Sequence, residues 1–106
     1  MRRVMVRYRV KPDRVAENEE LVRAVYDELD RTRPAGLRYA TFQLDDGVSF
    51  VHLASTETED GHNPLSEMKA FQRFQENVRD RCDEAPVVAE LREIGSFRFF
   101  GDDGAS

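Results

Sequence analysis

The sequence predicts an α+β fold of ferredoxin-like topology: a four-stranded antiparallel sheet traced in the order strand, helix, strand, strand, helix, strand (βαββαβ). Three observations predict it. Residues 3–10 alternate in polarity as a half-buried strand does. Residues 37–55 read as a hairpin about Asp46-Gly47. Two segments with apolar residues at helical spacing separate the strands. Right-handed crossovers place both helices on one side of the sheet and the first strand beside the third and fourth.

In the first strand Val4, Val6, Tyr8 and Val10 point one way and Arg3, Met5, Arg7 and Arg9 the other. Pro12 opens a helix, because its missing N–H costs nothing in the first turn. Val15, Leu21, Val22, Val25, Tyr26 and Leu29 form its apolar stripe, and Arg33-Pro34-Ala35-Gly36 ends it. Residues 37–45 and 48–55 form the hairpin. With a two-residue loop, Asp45 faces Val48, Gln43 faces Phe50, Thr41 faces His52 and Tyr39 faces Ala54. Phe42 then meets Val51, and Ala40 meets Leu53. A slip of one residue destroys this agreement of apolar positions. A polar loop, 55–62, leads to Asn63-Pro64, an N-cap followed by proline at the first helical position. The second helix, 64–85, carries Met68, Phe71, Phe74, Val78 and Cys82 inward and is broken by Pro86. Val87, Val88 and Leu91 suggest a short helical turn, and residues 96–100 the last strand. The domain is expected over residues 1–101, with 102–106 a flexible polar tail.

The chain has 106 residues, a single-domain length, with 40% apolar and 35% charged residues, which marks a globular domain. A net charge of −5 argues against a nucleic-acid partner, since phosphate binding needs a basic face. The single cysteine, Cys82, permits no intrachain disulfide and reads as a small core side chain; a reducing, cytoplasmic setting fits. Arginines interrupt the N-terminal segment, so it is not read as a signal peptide, and no apolar run has membrane-spanning length, so no membrane partner is expected. The two histidines lie on a strand and a loop without the ligand spacing of a metal site, and His62 reads as a surface residue.

One sheet face is expected to be core: Val4, Val6, Tyr8, Val10, Ala40, Phe42, Leu44, Val51, Leu53, Phe97 and Phe99. The other carries Arg7, Arg9, Tyr39, Thr41, Gln43, Phe50, His52, Arg98 and Phe100, with Met5, Leu37 and Val48. That second face is too aromatic for solvated surface and too charged for core, so it reads as a ligand-binding wall. His52 is the candidate base, and Tyr39 a proton donor or orienting group. Arg7, Arg9, Thr41, Gln43, Phe50 and Arg98 are the candidate substrate contacts, with arginine beside His52 favouring its neutral form and suiting an anionic ligand group. The plain structural alternative is a hydrogen bond from His52 to Thr41 and arginines paired with acids.

The element order, with the segment His62-Asn63-Pro64-Leu65-Ser66-Glu67-Met68-Lys69-Ala70-Phe71-Gln72, resembles the antibiotic biosynthesis monooxygenase-like family of dimeric α+β barrels over residues 3–100. The resemblance implies a homodimer whose subunits pack through the open sheet faces. Each would enclose a pocket between sheet and helices or near the interface. It also implies oxidation of a small aromatic, quinol or polyketide-type substrate by dioxygen, with no metal, flavin or other cofactor. The chain has no tryptophan, which many active members use, and residues 64–85 hold no histidine, so the haem-degrading branch is disfavoured. His52 and Tyr39 rest on the sheet geometry, not on a family motif. A non-catalytic homodimeric small-molecule-binding or structural module of the same fold is the alternative. Residues 46–53 also resemble the third strand of an RNA-recognition motif, but Asp46 stands at its basic position and Val48 at its first stacking position.

Overall fold

A computed structural model describes residues 2–58 and 62–99. Strand β1 spans Arg2–Val10, and a 3-10 turn over Pro12–Arg14 leads into helix α1, Val15–Thr32. Strands β2, Leu37–Gln43, and β3, Ser49–Thr56, follow. A second 3-10 turn, Pro64–Glu67, precedes two short helices, α2 (Lys69–Gln75) and α3 (Val78–Arg81), and strand β4, Cys82–Glu90. The strands form one antiparallel sheet in the order β2-β3-β1-β4, the predicted ferredoxin-like arrangement.

The hairpin register is the predicted one: Tyr39 faces Ala54, Thr41 faces His52 and Gln43 faces Phe50. The loop is longer than two residues. The ladder closes at Leu44, whose N–H donates to Ser49 O, and Gly47 N–H turns back to Leu44 O. Asp46 holds this turn by accepting from the Val48 and Ser49 N–H groups and from the Ser49 hydroxyl.

The fourth strand is not residues 96–100. It is Cys82–Glu90, and the second helix ends well before residue 85. Asn77 takes the left-handed conformation (φ 64°), which stops α2 and lets α3 run only one turn. Pro86 is accommodated because β4 is an edge strand. Its pairing with β1 shifts between Arg7↔Val87 and Arg9↔Glu84, the irregularity where a proline needs no ladder partner. The β-branched pair Val87-Val88 is strand, not a helical turn. With β4 on that side of β1, residues 96–99 join no strand, and Phe97 and Phe99 are exposed. Phe100 and the 102–106 tail lie outside the described residues.

The faces of β2 and β3 are also reversed relative to the expectation. β1 turns Tyr8 and Val10 toward the helices as predicted, but Tyr8 pairs with Phe50 and Val6 with His52. Directly opposed residues share a face, so Phe50, His52, Tyr39 and Thr41 lie under the helices. Phe42, Val51 and Leu53 lie on the uncovered side with Arg7 and Arg9. Phe50 and His52 are buried, whereas Phe42 is half exposed. The buried core is Tyr8, Val10, Val25, Phe50, Leu65, Met68, Phe74 and Cys82. The Glu28 carboxylate of α1 accepts from Ala70 N–H in the first turn of α2, tying the two helices together.

Gly36 and Gly47 both have positive φ, 77° and 78°, but different surroundings. A side chain at Gly36 would lie 3.0 Å from the Glu57 carbonyl oxygen, while one at Gly47 meets open space. Gly47→Ala is expected to cost about 1 kcal/mol, the left-handed penalty alone, and Gly36→Ala distinctly more, because the β2–β3 end must move. Urea unfolding of both variants checks this, and equal losses would rule out a packing constraint at Gly36.

Candidate functional site

A cavity of about 530 Å³ lies between the helix-side face of the sheet and the α2–α3 segment. Its walls are mainly apolar, with Val6 from β1, Leu65, and Phe71, Phe74 and Val78 from the helices. Val88 and Arg79, both exposed, stand at its rim. On the sheet its polar groups include Tyr8, Tyr39 and His52, and Arg2, Thr56, Asn63, Ser66 and Gln75 also line it.

Each polar group is placed by its strand. Alternation sends Tyr8, His52 and Tyr39 to one face of three adjacent strands. His52 Nε2 lies 2.8 Å from Tyr8 Oη. Its Nδ1 lies 2.5 Å from Tyr39 Oη and 3.3 Å from Thr41 Oγ1. Thr41 is in turn 2.8 Å from the Tyr26 hydroxyl of α1. On the other side Asn18 Nδ2 donates to Tyr8 Oη at 3.0 Å, and Arg81 Nε donates to Asn18 Oδ1 at 3.4 Å. Arg81 is 1% exposed. Its remaining N–H groups donate to the carbonyls of Phe74 and Glu76 at the end of α2, and its guanidinium lies 5.2 Å from the Phe74 ring centre.

The site is held neutral. Burial lowers the His52 pKa from 6.5 to about 4, so the imidazole is uncharged at neutral pH. Burial raises the pKa of Tyr39, Tyr8 and Tyr26 above the ordinary phenol value, so each keeps its hydrogen. Arg81 is pushed down by the same cause.

Of the residues singled out from the sequence, the structure brings together His52, Tyr39 and Thr41. Phe50 stacks on Tyr8 with ring centres 5.6 Å apart, behind the cavity. Gln43 donates to Gly47 O and braces the hairpin. The arginines are elsewhere. Arg7 is exposed on the opposite sheet face, Arg9 pairs with Glu84 at 3.4 Å, and Arg98 stacks on Phe97. The neutral His52 expected from neighbouring arginine thus arises from desolvation instead. Sequence reasoning missed Asn18, Tyr8, Tyr26 and Arg81. For two of these a signal existed: Asn18 falls on the apolar stripe of α1 between Val15 and Val25, and Arg81 follows Phe74 and Val78 at helical spacing. Among the described residues no cluster of three or more His, Cys, Asp or Glu is present that could hold a metal ion.

Because the folded state depresses the His52 pKa, the unfolded chain takes up a proton first as pH falls. His52's contribution is therefore intact above about pH 6.5 and is lost down to about pH 4, costing roughly 3 kcal/mol in all. Urea unfolding across that range should show this slope in wild type and its loss in His52→Leu. Parallel pH profiles for the two proteins would rule out a buried neutral imidazole.

No family model matches the sequence, and no curated protein matches it. Solved structures do match in three dimensions. One described as an antibiotic biosynthesis monooxygenase aligns with a TM-score of 0.73 at 17% identity, covering 90% of this chain and all of its own. A candidate antibiotic biosynthesis monooxygenase from Nitrosomonas europaea aligns with a TM-score of 0.74 at 21% identity, over 90% of this chain and 100% of that one. A variant of SnoaB, a cofactor-independent oxygenase from Streptomyces nogalater, aligns with a TM-score of 0.65 at 15% identity, over 90% and 94%. The chain therefore has the α+β fold of the antibiotic biosynthesis monooxygenase-like structures.

Proposed function

We propose that the chain is a cofactor-independent monooxygenase acting on a small aromatic, quinol or polyketide-type substrate held in the cavity between sheet and helices. The observation that carries this reading is the Tyr39 hydroxyl, anchored 2.5 Å from a neutral His52 on the wall of a mainly apolar cavity. Oxidation by dioxygen proceeds from the electron-rich enolate or phenolate of such a substrate. It needs a polar group at the substrate oxygen and a dry, oxygen-accessible enclosure around it. At a methylene, one atom of dioxygen becomes the new carbonyl oxygen and the other leaves as water with the two displaced hydrogens. Both His52 nitrogens already face tyrosine hydroxyls, so His52 acts through Tyr39, which is the group that meets the substrate oxygen. The pair can take a proton from a phenol or give a hydrogen bond to a carbonyl.

The uncovered sheet face is read as the seat of a second copy of the chain. It carries Phe42 and Val87, 50% and 67% exposed, beside Val51 and Leu53. Phe42→Glu is expected to convert a dimer into a monomer in analytical ultracentrifugation at micromolar concentration. A wild-type chain that sediments as a monomer would exclude this role for the face.

Oxygen uptake with anthrone and with a naphthoquinol tests the chemistry. Tyr39→Phe should lower kcat about 100-fold, while substrate binding, read by thermal shift, changes little. If both substrates bind and wild type consumes no oxygen, the non-catalytic binding module of the same fold is the correct reading. Equal turnover in Tyr39→Phe would remove Tyr39 from the chemistry.

A further inference from the structure

The polar chain behind the cavity admits one arrangement of hydrogens that leaves every buried donor engaged. Arg81 can only donate, so the Asn18 atom facing it is the carbonyl Oδ1. The Asn18 amide then faces Tyr8 and donates to its oxygen. Tyr8 must place its own hydrogen, and the remaining neighbour is His52 Nε2. Nε2 is therefore the acceptor nitrogen. A neutral imidazole carries a single hydrogen, which falls on Nδ1 and is donated to Tyr39 Oη, with Thr41 Oγ1 as a more distant second acceptor. The opposite tautomer would make the Tyr8 oxygen accept twice and leave its hydrogen without a partner in a side chain 2% exposed.

With Nδ1 donating, the Tyr39 hydrogen cannot point at His52. It is shared between Thr41, whose hydroxyl already engages Tyr26, and an acceptor in the cavity that Tyr39 lines.

We propose that Arg81 and Asn18 are positioning residues that lock His52 in its Nδ1–H tautomer, so that Tyr39 meets the ligand as a hydrogen-bond donor and the cavity selects small aromatic molecules bringing an acceptor oxygen. This deepens the oxygenase reading and rests on it for the site's purpose. Of the two directions open to the Tyr39–His52 pair, it assigns donation to a ketone carbonyl or to the oxyanion of a phenol. Proton uptake by the pair would require reversing every hydrogen back to Tyr8, which Asn18 opposes. The donated bond stabilises the anion from which dioxygen withdraws electrons.

The tautomer is read directly from the imidazole nitrogen resonances of uniformly 15N-labelled protein at neutral pH. Wild-type His52 should show protonated Nδ1 and unprotonated Nε2. Asn18→Asp swaps the amide donor for an acceptor of the same shape. Tyr8 then donates to that carboxylate, Nε2 carries the hydrogen, and Tyr39 turns its hydrogen onto Nδ1. The variant should invert the tautomer and bind 1-tetralone, an aryl ketone that can only accept, about tenfold more weakly, the loss of one hydrogen bond. Arg81→Met, which frees Asn18 to turn over, should show both tautomers. Protonated Nε2 in wild type, or protonated Nδ1 in Asn18→Asp, overturns the proposal. Unchanged tetralone affinity in an inverted variant overturns its claim about ligand choice. A single unchanged tautomer in Arg81→Met overturns the share assigned to Arg81. The resonances do not depend on turnover, so a wild type without oxygen uptake sinks the oxygenase reading and leaves the tautomer result standing.

Discussion

The interaction on which the rest depends is the buried chain that runs from Arg81 through Asn18, Tyr8 and His52 to Tyr39 and Thr41. It draws its members from α3, α1 and three adjacent strands. A buried polar group without a partner costs more than its hydrogen bond returns in water, so such a chain is stable only when complete. Here it is complete, since among the described residues no buried side-chain nitrogen or oxygen lacks a partner. That requirement explains the reversed faces of β2 and β3. Aliphatic content alone would favour Phe42, Val51 and Leu53 inside. The structure buries the face that can satisfy Tyr8 instead, because Tyr8 is committed inward by the alternation of β1.

Arg81 is the costliest member. A guanidinium with almost no solvent contact needs compensation. It comes from the carbonyls at the end of α2 and from the Phe74 ring. The helix end and the arginine thus solve each other's problem: α2 has carbonyls with no intrahelical donor, and Arg81 has donors with no water. The left-handed turn at Asn77 brings the chain back so that Arg81 can reach them. The same turn ends α2 early and releases residues 82–90 to become the edge strand.

Desolvation then sets the character of the site. His52 is neutral and the tyrosines stay protonated because all are buried together, and for Tyr8 burial outweighs the opposing pull of Arg81. Such a wall offers oriented hydrogen bonds rather than charge, which suits a small, largely apolar molecule with one or two oxygens. Arg7 and Arg9 of β1 stand on the opposite face, where Phe42 and Val87 remain exposed among the described residues.

The element order, the hairpin register and the inward alternation of β1 are legible in the residues alone, because each follows from local chemistry: polarity of period two, the Asp46-Gly47 turn, and proline at helix starts. It also singled out His52, Tyr39 and Thr41 as neighbours, since cross-strand pairing follows from register. Which face of the hairpin meets the helices is a matter of long-range pairing, because both faces are internally consistent and the choice lies in the register of β3 against β1. The fold alone shows that Pro86 sits in an edge strand, since the proline is tolerated through a register shift that no local pattern records. The fold alone also joins Asn18 and Arg81, 63 residues apart in the chain, to the site. Each stands at an apolar position of its own helical stripe, but the reason for burying it there exists only when the other is in place.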